Sequence, residues 1–311
     1  MTKFVELPPD QYSQTAFDAF QAQVAGMKLD NARAMMWTSQ LAYETGKPAT
    51  IDIVSKQWGF SSATPFVKHK IDVTASFDTC GLLGERPDAI ILAFAGTDPG
   101  VWETLATDAN FRVDQNSDTH IGFQTALNAA QPEIQQAVSM SKQNNKPLWI
   151  AGHSLGAALA ALAAQFAAAS GTAPKAVYLF GMPRAGGGKF QAAYDNNAGL
   201  GPVTYRFVHG LDVVARVPMS GLGYRHIGQV LQCASGQHFD PAAPLSALGS
   251  DDPPFAPELA DTLKSGVEGA LVGRILSPPG PGTFGPMFRF IPQPIRDHLQ
   301  DRYWTALTPA G

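Results

Sequence analysis

The sequence predicts an α/β domain, with a mostly parallel central sheet and helices on both faces. Three observations carry this. Short, continuous apolar runs stop at glycine or turn residues, helical patterns lie between them, and 45% of 311 residues are hydrophobic. Residues 89–94 (AIILAF), 148–151 (LWIA) and 177–180 (VYLF) lack the in–out alternation of a strand with one wet face. That is the pattern of strands buried on both faces. Alternation with helices then favours parallel pairing through crossovers.

Taken in order, residues 15–43 carry apolar positions at helical spacing. They read as two helices split near 28–31, with Asp30 or Asn31 capping the second. Residues 51–54 and 66–75 read as strands with hairpin character. Helical patterns follow at 123–143, 155–169 and 188–196, and 204–208 is a weaker strand. Residues 225–232 are a strand or an irregular segment. Residues 256–276 read as a helix, 278–286 (PPGPGTFGP) as irregular, and 297–307 as a short last helix. No boundary calls for a second domain, so 1–311 is read as one domain, with N-terminal helices over 1–50.

The net charge is −4, with 15% charged residues and no Lys/Arg cluster long enough to hold a polyanion. Nucleic acid is therefore not an expected partner. The opening stretch MTKFVELPPDQYSQ has no apolar core of a secretory leader, so the expectation is a cytoplasmic protein, with leaderless export compatible. The Ala-rich run 157–169 is broken by Gln165 and too short to span a bilayer. Cys80 and Cys233 are expected to be free thiols.

Residues 152–156 read G-H-S-L-G. A bare G-x-S-x-G is weak, but here a buried-strand run ends before it and an Ala-rich helix starts after it. A strand, a tight turn and a helix hold a serine in a strained backbone with its hydroxyl outward. The helix N-terminus favours negative charge developing nearby. Ser154 is thus the candidate nucleophile, and the amide of Leu155 the candidate oxyanion donor.

Such a serine needs a histidine base and a carboxylate to orient it. In the α/β-hydrolase fold the chain order is Ser, acid, His. Asp212 is the best acid, in the loop after a core strand, and Asp195 is a weaker rival. Of the later histidines, His209 precedes the acid and His238 lies in a polar loop. Chain order leaves His226 and His298 open.

The motifs resemble the class 3, fungal-type lipases, within the α/β-hydrolase superfamily, from about residue 90 to 304. The resemblance rests on A-F-A-G-T at 93–97, H-I-G-F at 120–123, G-H-S-L-G at 152–156, F-G-M-P-R at 180–184, D-V-V-A-R-V-P at 212–218 and D-H-L at 297–299. It implies that His298 is the base and His226 a structural or pocket residue. It also implies Thr97 as second oxyanion residue and a hinged lid over 98–112. Two features depart from the family pattern. Ala95 stands where Arg is usual, and V-W-E-T-L-A-T-D at 101–108 replaces D-W-x-x-D. The segment 242–294 is longer than the pattern requires and reads as a candidate cap insertion.

The implied activity is ester hydrolysis by a Ser-His-Asp triad, on a triacylglycerol or medium-chain ester. The same scaffold also serves phospholipase A1 and feruloyl esterases, and a catalytically silent binding protein is a further alternative. Val101, Trp102, Leu105, Phe111 and Ile295 are the candidate acyl-pocket or lid residues. A transient lipid–water interface is an expected partner. No metal or organic cofactor is expected, since H-E-x-x-H, C-x-x-C and Walker patterns are missing from the sequence.

Overall fold

The computed structural model describes residues 6–71, 76–96, 113–246 and 293–308. Helices α1 (Leu29–Leu41) and α2 (Pro48–Gln57) precede a hairpin of β1 (Ser62–Ile71) and β2 (Ser76–Glu85). Then come β3 (Ile90–Phe94), α3 (Ile121–Ala129), α4 (Gln131–Asn144), β4 (Leu148–His153), α5 (Leu155–Ala169) and β5 (Ala176–Phe180). The short β6 (Gly186–Gly187) and α6 (Gly188–Ala192) lead to β7 (Thr204–His209), β8 (Tyr224–Arg225) and β9 (Gln229–Cys233). The described chain closes with α7 (Gln293–Arg296) and α8 (Gln300–Ala306).

The main sheet has the order β1-β2-β3-β4-β5-β7-β9. The β1–β2 and β2–β3 pairs are antiparallel, and every later pair is parallel. The fold is therefore the predicted mostly parallel sheet, with an antiparallel hairpin along one side. Parallel neighbours need a crossover; helices supply it from β3 to β7, and short turns with β8 supply it from β7 to β9.

The strand pleat sorts side chains into two cores. Ile90, Leu92, Phe94, Leu148, Ile150, Val177 and Leu179 face α3, α4 and α5. Ile91, Ala93, Trp149, Ala151, Tyr178 and Phe180 face the N-terminal segment, α1 and α8. Successive side chains point to opposite faces, so a strand apolar at every position must be covered twice. Helix α5 is buried along nearly its whole length, from Leu155 to Ala164 and again at Ala167. Its alanines let it lie close on the sheet, while α3 and α4 flank it. Among the described residues no helix is long and apolar enough to cross a membrane.

The N-terminal expectations need correction. Residues 15–20 form successive turns with i to i+3 bonds, not a helix. Phe17 and Phe20 there pack on Trp58, Phe60 and Trp149, so tertiary contacts set the local path. Neither Asp30 nor Asn31 caps α1; its N-cap position is Lys28, and Asn31 instead bonds the backbone of Gln21 in both directions. The segment 51–54, read as a strand, lies inside α2. Pro48 starts that helix with a preset φ, and Ile51, Val54 and Ser55 are buried at helical spacing while Ile53 is exposed. The helical run 123–143 is two helices, because Pro132 has no N–H to continue the ladder through Ala130.

Neither cysteine is in a disulfide, and both are part-buried. Cys80 lies on β2 and Cys233 on β9, five strands apart in the sheet order. At about 4.8 Å per strand, that is far beyond disulfide reach. The residues 97–112 and 247–292, and with them the expected lid, most of the candidate cap insertion, the 256–276 helix, Thr97, Val101, Trp102, Leu105 and Phe111, lie outside the described residues.

Candidate active site

Ser154 sits between β4 and α5 with φ 65° and ψ −134°. A left-handed φ is costly for a residue with a Cβ, and such strain persists only where surrounding structure imposes it. Here the Ser154 N–H donates to the Phe180 carbonyl (2.9 Å) and the Ser154 carbonyl accepts from Ala157 N–H (2.9 Å). The bend also requires closeness between strand and helix. A Cβ on Gly152 would stand 2.2 Å from the Gly156 carbonyl oxygen.

Leu155 is the first residue of α5, where helix amides have no acceptor within the helix. The end of β3 lies against the same turn: a Cβ on Gly96 would meet Ser154 Cβ at 2.7 Å and Oγ at 3.0 Å. Thus the described neighbour of Thr97 abuts the serine at the carboxyl edge of the sheet, where ligands bind in open α/β sheets.

His298, in the turn between α7 and α8, places Nε2 2.8 Å from Ser154 Oγ. Its Nδ1 lies 3.0 and 2.9 Å from the two oxygens of Asp212. An ionised carboxylate only accepts, so Nδ1–H donates to Asp212. The Nε2 lone pair is then left to take the serine proton. Asp212 is fully buried. Burial alone would raise its pKa, but the facing His298 and the Tyr303 hydroxyl outweigh this and hold it below the usual carboxylate range. Its Oδ1 also accepts from Val214 N–H (2.8 Å), and Tyr303 Oη donates to Oδ2.

The structure therefore brings Ser154, Asp212 and His298 into one hydrogen-bonded line. The histidine that chain order leaves open is His298. His226 is buried elsewhere, its Nε2–H donating to the Ala215 carbonyl (2.9 Å), where it holds the turn that follows Asp212. Asp195, the rival acid, accepts from Gly228 N–H (2.8 Å). Ile295 packs on the edge of the α3–α5 core.

Four contributors were assigned no role from the motifs. His153, beside the nucleophile, stacks on His298 with ring centroids 4.8 Å apart. Its Nε2–H donates to the His298 carbonyl (2.9 Å), so Nδ1 must accept from the Tyr43 hydroxyl (2.9 Å). Burial first, and the neighbouring His298 second, push its pKa down to about 3, so it stays neutral. Tyr303 joins the acid from α8. Gly181, at φ 58°, leaves the space the pair needs, since a Cβ there would stand 2.7 Å from Asp212 Oδ2 and 2.9 Å from His298 Nδ1. Gly181 lies in F-G-M-P-R and Tyr303 follows D-H-L, so motif positions held signals for both. Tyr43 carried none.

A serine at a strained strand–helix bend with a buried histidine and aspartate behind it, on this mostly parallel sheet, is the arrangement of the α/β-hydrolase fold. Residues 91–221 match the family described as Lipase (class 3). It is 30% identical over 172 residues to secreted mono- and diacylglycerol lipase 1 of Fusarium solani, covering 46% of this chain and 50% of that protein. It is 30% identical over 148 residues to phospholipase A1-II 6 of Oryza sativa subsp. japonica, covering 44% and 34%. The chain thus spans half or less of the length of these curated relatives. Lipase II from Rhizopus niveus shares the fold, with TM-score 0.54 and 19% identity over 72% of this chain and 89% of that one.

Proposed function

We propose that the protein is a carboxylic ester hydrolase, a triacylglycerol lipase or medium-chain esterase, acting through an acyl-enzyme on Ser154. The observation that carries this is the unbroken line from Ser154 Oγ through His298 to Asp212. In the first step His298 Nε2 takes the serine proton as Oγ attacks the ester carbonyl. The amides of Leu155 and Thr97 receive the oxyanion in this reading. The protonated imidazole, held by Asp212, then gives its proton to the leaving alcohol. Water attacks the acyl-enzyme by the same route and releases the acid.

The likeness of residues 91–221 to lipases supports a lipid ester presented at a lipid–water interface. A second reading, phospholipase A1, is favoured by the identity to the rice protein of that name. A silent binding protein is disfavoured, because selection for binding alone does not keep all three side chains in donor–acceptor order. The test has two parts. A fluorophosphonate probe is expected to label Ser154 alone, and label on another residue or none refutes the scheme. p-Nitrophenyl esters of graded chain length, a triglyceride emulsion and phosphatidylcholine vesicles then separate lipase, esterase and phospholipase.

A further inference from the structure

The turn that carries His298 is joined to the rest of the site by bonds beyond the triad itself. Val213 N–H donates to the Pro294 carbonyl (3.3 Å), and His153 holds the His298 carbonyl. A further attachment is the side chain of Asp297, one residue before the base and only 6% exposed. Its Oδ2 accepts two hydrogen bonds, from Leu211 N–H (2.9 Å) and from the Ser235 hydroxyl. Its Oδ1 lies 3.5 Å from His209 Nδ1. The other ring nitrogen of His209 accepts from Gly236 N–H (3.1 Å), so the ring proton sits on Nδ1 and faces Asp297.

These partners come from the segments that follow β7 and β9, and Leu211 immediately precedes Asp212. One carboxylate therefore ties the turn bearing the base to the turn bearing the acid, from outside the triad. The turn is shaped for it. Gly210 has φ 55°, and a Cβ there would stand 2.3 Å from both Asp297 Oδ2 and Ser235 Oγ.

We propose that Asp297 is a positioning residue for the esterase reaction, setting the register of His298 against Asp212 through Leu211 N–H and Ser235. The inference rests on the hydrolase reading above. Asp297 does not face the serine hydroxyl, so it acts on the rate of proton transfer and not on substrate binding. Misplacing a reacting group by about 1 Å costs on the order of 100-fold.

The experiment compares Asp297→Ala, Asp297→Asn and Ser235→Ala using p-nitrophenyl butyrate, with the active fraction counted by fluorophosphonate titration. Asp297→Ala is expected to lower kcat per active site by about 10- to 100-fold with KM within about 3-fold. Asp297→Asn keeps an oxygen for Leu211 N–H and the Ser235 hydroxyl but sets an amide N–H against His209 Nδ1–H, so it is expected to retain kcat within about 10-fold and to lose less than Asp297→Ala. Ser235→Ala removes one donor and is expected to cost about 2- to 5-fold, with no further loss when added to Asp297→Ala. The proposal is overturned if Asp297→Ala keeps wild-type kcat, if its loss lies in KM, or if Asn is as poor as Ala. Should Asp297→Ala fail to fold, Asn and Ser235→Ala decide alone: Asn below the stated range, or Ser235→Ala at full wild-type kcat, overturns it. An inactive, unlabelled wild type refutes the hydrolase reading itself, whereas an active wild type with an equally active Asp297→Ala refutes only the positioning role.

Discussion

The two halves of the site are built by different means. The nucleophile half is local: Gly152, Ser154, Leu155 and Gly156 lie within five residues, and a strand running into a helix imposes the bend. The base half is assembled from afar. His298 reaches Asp212 across 86 residues and Ser154 across 144, and it is held by Tyr303, Asp297 and His153. A local device depends on backbone geometry and withstands changes elsewhere. An assembled one depends on several hydrogen bonds, each of which tunes the rate without abolishing the fold.

The comparison breaks most sharply at the shared atom. Ser154→Ala is expected to lower kcat by about 10⁴–10⁶-fold, with an unchanged far-UV circular dichroism spectrum. A residual rate within 100-fold of wild type refutes the scheme. Asp212→Asn tests the assembled half, because an amide donor facing Nδ1 forces the proton onto Nε2, where it blocks attack. The expected loss is about 10³–10⁴-fold in kcat, read by steady-state kinetics. Tyr303→Phe removes one of several supports of Asp212, and a loss of only about 3- to 30-fold is expected, in kcat. A loss as large as that of Asp212→Asn would show that the supports are not of comparable weight.

The smallest effect concerns acid stability. Burial pushes His120 down to about 4 and His153 to about 3. In the unfolded chain an imidazole takes a proton near pH 6.5. Between that pH and the folded values the unfolded state binds more protons, so stability is full above about pH 6.5 and declines on acidification. The slope is at most about 1.4 kcal/mol per pH unit for each group. Denaturant midpoints at pH 7, 5.5 and 4.5 measure it. His120 caps α3, its Nδ1 accepting from Phe123 N–H (3.4 Å). Asparagine is also a good cap, so His120→Asn is expected to flatten the decline while keeping the helix.

Much of the local half was legible beforehand. The buried strands 148–151 and 177–180, the helix from Leu155 and the serine between them follow from period and turn chemistry, which act over a few residues. Asp212 followed from its place after a strand. Residues alone did not separate His298 from His226, since both lie beyond the acid and both end up buried. The motif D-H-L pointed to His298, and geometry joins it to the serine. The N-terminal region misled, because Phe17 and Phe20 at helical spacing are held in turns by distant aromatic rings.

By itself, the order of residues determined the strand–bend–helix, the double-sided burial of the sheet and the choice of Ser154 as candidate nucleophile. These depend on sterics and hydrophobic period among near neighbours. Only the tertiary structure set the line from that hydroxyl through His298 to Asp212, and gathered Tyr43, His153, Asp297 and Tyr303 behind it. A hydrogen bond forms wherever folding brings donor to acceptor, and separation along the chain leaves no trace of that meeting.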